Sequence, residues 1–83
     1  MNVLFYEWCL CRARARLCDG QYMGVVSKRQ MDYHVTFEQA LELEAKAVVK
    51  RVADAQAGKY GREAQIHAIK MEQIWTENRT PQF

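Results

Sequence analysis

The feature of this sequence that most constrains its fold is the pair Asp19-Gly20, which lies between two long runs of alternating residues. Both central residues of a type I′ β-turn need positive φ angles, which Gly and Asp tolerate, so Asp-Gly between such runs is a strong hairpin signal. We therefore predict one long β-hairpin over Val3–Val35. Its first strand covers residues 3–17 and its second strand covers residues 22–35.

The predicted hairpin has two different faces, because successive side chains of a strand point to opposite sides of the sheet. One face is apolar and mostly small, with Ala13, Ala15 and Gly24, and we assign it to the core, where a helix can approach closely. The other face has arginines near the turn and large apolar side chains at its far end. We predict that it binds a partner through Tyr6, Trp8, Arg12, Arg14, Arg16, Arg29, Met31 and Tyr33.

Two interpretations of this second face stay open. Exposed aromatic side chains beside arginines are typical of a binding surface. A β-bulge near Trp8 would instead reverse the alternation and bury the aromatic side chains, which would leave only the arginines in the site.

A helix is predicted at residues 37–57. Thr36 and Gln39 have the spacing of a capping box, and Gly58 is a suitable end. Glu44 falls inside the apolar stripe of this helix, so we expect its carboxylate to reach solvent or to pair with an arginine. The stripe that should face the sheet consists of Phe37, Ala40, Leu41, Val48, Val52 and Ala55.

The segment after the helix is ambiguous. Its composition favours a helix, but its apolar residues would lie on opposite sides of one: Ile66, Ile69 and Ile74 against Ala64, Met71 and Trp75. We therefore predict a third strand at residues 64–75 and a frayed tail at residues 76–83.

These elements predict one α+β domain over residues 1–83, a two-layer β-β-α-β fold in which the helix covers one face of a small sheet. If the last segment is helical, the order becomes β-β-α-α.

The cysteine content and the distribution of apolar residues bear on redox state, metal binding and membrane insertion. The three cysteines, Cys9, Cys11 and Cys18, form an odd set without a secretory leader, so we expect free thiols in the cytoplasm. With His34 they offer the atoms that zinc prefers, but their spacing differs from that of closed zinc sites, and we predict no metal and no cofactor. No run approaches the roughly 18 apolar residues of a membrane span.

The sequence contains no phosphate-binding glycine loop, and no cysteine has a histidine placed to activate it, so we predict that the protein is not an enzyme. We predict a small non-catalytic binding protein that occupies a surface of a larger protein or nucleoprotein partner. Inhibitors from phages and mobile elements, such as anti-CRISPR proteins, have this size. The alternative is a small nucleic-acid-binding or regulatory protein that uses the same arginine and aromatic face.

Overall fold

A computed structural model describes residues 2–20 and 22–79, and every regular element in these two ranges is an α-helix. The α+β fold with a β-hairpin is therefore wrong, because the strands predicted at residues 3–17, 22–35 and 64–75 lie in helices or their caps. Of the predicted tail, residues 76–79 belong to the last helix and residues 80–83 lie outside the described residues. The four helices are α1 (Val3–Leu17), α2 (Met23–Tyr33), α3 (Phe37–Gln56) and α4 (Arg62–Arg79).

Helix α1 begins with a side-chain cap. The Oδ1 atom of Asn2 accepts hydrogen bonds from the backbone N–H groups of Leu4 at 2.8 Å and Phe5 at 3.4 Å, which satisfies donors that have no partner inside the helix. The rest of the segment is rich in Leu, Ala and Arg, which favour helix.

The buried side of α1 explains why the alternation pointed to a strand. Phe5, Cys9, Ala13 and Leu17 are all buried, and they are spaced four residues apart. Residues four apart share a side of a helix, but they also share a face of a strand. The same apolar positions therefore satisfy both structures, and packing against the other helices selects the helix.

Asp19-Gly20 does lie in a turn, but this turn connects two helices instead of two strands. The N–H of Cys18 donates to the carbonyl of Arg14 at 3.0 Å at the end of α1, and the N–H of Tyr22 donates to the carbonyl of Asp19 at 2.9 Å. The position of the turn was predicted correctly and the type of its flanking elements was not.

Helix α3 begins and ends close to the predicted residues. The Thr36 hydroxyl accepts from the Gln39 N–H at 3.1 Å, and the Gln39 side chain accepts from the Thr36 N–H at 3.0 Å, which completes the capping box. After Gln56 the chain leaves the helix through Gly58, whose φ of 90° suits glycine.

Helix α3 is central, because α1, α2 and α4 all contact it. The contact with α1 is the most extensive of the three. The main buried cluster consists of Phe5, Cys9, Leu10, Ala13, Leu17, Val26, Ala40, Ala45 and Val49.

Three aromatic rings join α4 to α1. The ring of Phe5, which is fully buried, lies 5.8 Å from the ring of Trp8 and 5.6 Å from that of Trp75, and the two tryptophans are 6.0 Å apart. Such aromatic contacts stabilise beyond the area they bury.

Helix α4 is apolar on two sides, which is why its periodicity did not indicate a helix. Ala68 is buried on the side that faces the domain, and Trp75 is half-buried there. The isoleucines on the other side are 40–54% exposed: Ile66, Ile69 and Ile74.

The four helices form a thin, open arrangement. The domain measures 45 × 35 × 21 Å, and its smallest dimension equals about two helix diameters. Its radius of gyration is 14.7 Å, whereas a compact domain of this length has about 12 Å. The helices therefore leave grooves between them.

The helical register of α1 predicts very unequal losses of stability for truncation of two neighbouring residues. Phe5→Ala should lower the free energy of unfolding by roughly 3–5 kcal/mol, because it empties a fully buried site. Leu4→Ala is the matched control; its side chain is 62% exposed, so the change should be within about 0.5 kcal/mol. Urea denaturation followed by circular dichroism measures both. Equal losses for the two variants would contradict this register.

Candidate binding groove

Helix α1 separates the three arginines that alternation places on one face. Arg12 and Arg16 are four residues apart and lie on the same side of the helix as Trp8, whereas Arg14 points to a different side. The single face that we predicted on a hairpin therefore does not exist, although Trp8, Arg12 and Arg16 stay together.

Arg14 is engaged within the domain. Its guanidinium donates to both carboxylate oxygens of Glu42 on α3, through Nε to Oε1 and through Nη2 to Oε2 at 2.8 Å. The hydrogen bond from Arg14 holds the pKa of Glu42 below its ordinary value, and the same bond raises the pKa of Arg14. This bidentate ion pair links α1 to α3.

Arg29 is also engaged within the domain. Its Nε donates to Oε1 of Glu44 on α3, and its guanidinium lies 5.4 Å from the centre of the Tyr33 ring. Glu44 is only 8% exposed, so the expectation that it pairs with an arginine is confirmed.

The remaining predicted site residues are dispersed. Tyr6 is half-buried against the core. Met31 and Tyr33 are 76% and 60% exposed on α2, and neither lies with Trp8. Trp8 lies in a helix, so the hypothesis of a β-bulge at this position does not apply. Trp8 is nevertheless half-buried, because its ring contacts those of Phe5 and Trp75.

Two adjacent cavities lie along the line where α1 meets α3, and together we call them the α1–α3 groove. Its first part, of about 200 Å³, extends to Met71 of α4, and its second part, of about 390 Å³, extends to Tyr22 and Val25. The two parts share Ala13, Arg16 and Val48. The lining residues are Trp8, Cys9, Arg12, Ala13, Arg16, Leu17, Tyr22, Val25, Glu44, Val48, Val49, Arg51, Val52 and Met71.

Three arginines line this groove. Arg12 lies 4.9 Å from the centre of the Trp8 ring, and Arg16 lies 5.8 Å from the centre of the Tyr22 ring with its Nη2 3.5 Å from the hydroxyl. Within the described residues, Arg12, Arg16 and Arg51 form no ion pair. Their charges are therefore available to a partner.

The acidic groups near the groove are already engaged. Glu44, which lines its second part, pairs with Arg29. Glu72 of α4 accepts a hydrogen bond from Gln56 Nε2 at 3.2 Å. It keeps its negative charge, but it does not line either part of the groove. The groove therefore combines an aliphatic floor with a net positive rim.

The thiol in the groove is not activated. Burial raises the pKa of Cys9, and the nearby Glu72 raises it further, against a smaller opposing effect of Arg12. Cys9 therefore stays protonated at neutral pH, whereas a nucleophilic cysteine needs a lowered pKa. Across residues 2–20 and 22–79, no three His, Cys, Asp or Glu side chains come together in a way that would hold a metal ion.

Several groove residues were not in the predicted site. Val48 and Val52 belong to the apolar stripe of α3 that we assigned to the core, but both stay half-buried and form the floor. Arg51 lies three residues after Val48 on the same helix, at the edge of that stripe. A positive residue at the edge of an incompletely covered stripe is the signal that could have identified this wall.

Comparison with protein-family models, with curated proteins and with solved structures finds no match to this chain. Within the described residues, none of the helices has the length and apolar character needed to cross a lipid bilayer.

The arginines should divide into two groups when they are removed one at a time. Arg29→Ala leaves Glu44 buried without its partner and should cost about 2 kcal/mol of unfolding free energy, less than a fully buried pair because Arg29 is partly exposed. Arg12→Ala should change it by less than about 0.5 kcal/mol. Urea denaturation measures the unfolding free energy of both variants. Equal losses for Arg29→Ala and Arg12→Ala would contradict the distinction between arginines that stabilise the fold and arginines that do not.

The Arg14–Glu42 pair predicts a defined pH dependence. Because the pKa of Glu42 is lowered in the folded state, its contribution is fully present above the unfolded-state pKa and is lost as the pH falls through the folded-state pKa. Glu42→Gln should flatten the acid limb of a stability-against-pH curve, and Glu77→Gln, an exposed control on α4, should not. An unchanged acid limb in Glu42→Gln would contradict the pairing.

Proposed function

We propose that this chain is a non-catalytic binding protein that acts by occupying a surface of a larger protein or nucleoprotein partner, with the α1–α3 groove as its contact. The observation that supports this most directly is the combination of an open aliphatic floor and three arginines that form no ion pair among residues 2–20 and 22–79. An exposed apolar floor is unfavourable in water, and a partner that covers it buries the floor. The same partner can pair its carboxylates with the arginines.

The state of the aromatic rings favours a protein partner over a nucleic acid. Proteins that bind single strands stack bases on exposed aromatic faces. Here the guanidinium groups of Arg12 and Arg16 lie over the rings of Trp8 and Tyr22. The groove floor consists of valines and a methionine, which suit aliphatic side chains better than bases.

We place this activity in the cytoplasm. Cys11 and Cys18 are free and exposed, and Cys9 is free and buried, and exposed free thiols persist in reducing compartments. Membership of the class of phage and mobile-element inhibitors, anti-CRISPR proteins included, stays a prediction from size alone.

Charge reversal in the groove tests this proposal. The affinity-tagged chain should capture a stoichiometric protein from the native host, and Arg12→Glu/Arg16→Glu should lose it while remaining folded, because both side chains are exposed. The matched control is Arg62→Glu/Lys70→Glu, which changes the net charge equally at exposed α4 positions outside the groove. Purified partner and isothermal titration then measure the loss of affinity.

Two outcomes would overturn the proposal. Equal binding by the groove variant and the wild-type chain would remove the groove as the contact. Salt-dependent binding of labelled oligonucleotides by the wild-type chain, without a protein partner, would establish the nucleic-acid alternative instead.

A further inference from the structure

The charges on the two walls of the groove determine which charge pattern a bound segment must carry to be complementary. Arg12 and Arg16 lie on the α1 wall, one helical turn apart, and Arg51 lies on the α3 wall. Between them the floor is formed by Val48, Val52 and neighbouring apolar residues. A complementary segment therefore carries aliphatic side chains along its middle and carboxylates along both edges.

The groove also selects the secondary structure of its occupant. An extended segment needs partners for its backbone N–H and C=O groups, which a sheet edge would supply. Throughout residues 2–20 and 22–79 the regular structure is helical, so the walls offer no such edge. A helix satisfies its own backbone and presents only side chains, and two flanking helices form a natural groove for it.

The length of the groove fits a short helix. From Trp8 to Leu17 it follows α1 for about 14 Å, which corresponds to roughly nine helical residues. Carboxylates four residues apart on the occupant would match the spacing of Arg12 and Arg16, because both pairs would repeat once per helical turn.

We infer that the occupant of the α1–α3 groove is an acidic amphipathic helix of the partner protein, an inference that rests on the proposed function and specifies its ligand class. Carboxylates on one edge of this helix pair with Arg12 and Arg16, and a carboxylate on the other edge pairs with Arg51. Its aliphatic side chains cover Val48, Val52 and Met71.

A designed peptide provides the probe. It is acetylated and amidated, has leucines along one helical face and glutamates four residues apart on both edges, and is compared with peptides in which glutamine or lysine replaces every glutamate. In titrations of the full-length ¹⁵N-labelled chain, the glutamate peptide should shift the amide signals of α1 and α3 residues that line the groove. Its affinity should exceed that of the glutamine peptide about tenfold, and the difference should shrink as salt is added.

A charge swap makes the test specific. Arg12→Glu/Arg16→Glu should lose the glutamate peptide and bind the lysine peptide instead, whereas Arg62→Glu/Lys70→Glu should behave as the wild type does. Equal binding of the glutamate and glutamine peptides, absence of shifts in the groove, or failure of the swap would overturn the inference.

The result also separates this inference from the proposed function. If the groove variant loses the host partner but the glutamate peptide does not bind the wild type, the groove is the contact and its occupant is not an acidic helix. If the groove variant keeps the host partner, both proposals fail. Sedimentation of the free chain at the same concentrations identifies self-association, and occupation of the groove by a second copy would likewise overturn the inference.

Discussion

The close packing of α1 against α3 is the contact on which the rest of the structure depends. The main buried cluster includes Ala13 and Leu17 of α1 and Ala40, Ala45 and Val49 of α3, and the separation of two helices is set by the side chains between them. The same contact creates the groove. Along it, Val48 and Val52 of α3 are left half-buried and line the groove.

The arginines divide between holding the helices together and remaining free. Arg14 and Arg29 join α1 and α2 to glutamates of α3. The partly exposed Arg14–Glu42 pair contributes modestly, whereas Arg29 neutralises a carboxylate that would be costly to bury alone. In the part of the chain that the structure describes, Arg12, Arg16 and Arg51 form no ion pair, and the packing of α1 on α3 brings them to one groove.

The error in the predicted fold has a physical origin in residue spacing. Phe5, Cys9, Ala13 and Leu17 are four residues apart, which fits a strand face and a helix side equally well. This is also why the grouping of Trp8, Arg12 and Arg16 is retained in the structure, while residues two apart, such as Arg12 and Arg14, separate. The length of the run was an available signal, because strands usually have about 3–10 residues and α1 has 15.

By itself the sequence determined the features that depend on local interactions. These are the turn at Asp19-Gly20, the capping box that starts α3 at Thr36 and the glycine that ends it, because these features depend mainly on the backbone angles and hydrogen bonds of neighbouring residues. Only the tertiary structure decided whether the ambiguous segments became helices or strands, since their apolar positions satisfy both until a neighbour is packed against them. It also decided the groove, because Arg51 joins Arg12 and Arg16 through the contact of α3 with α1 and not through any spacing along the chain.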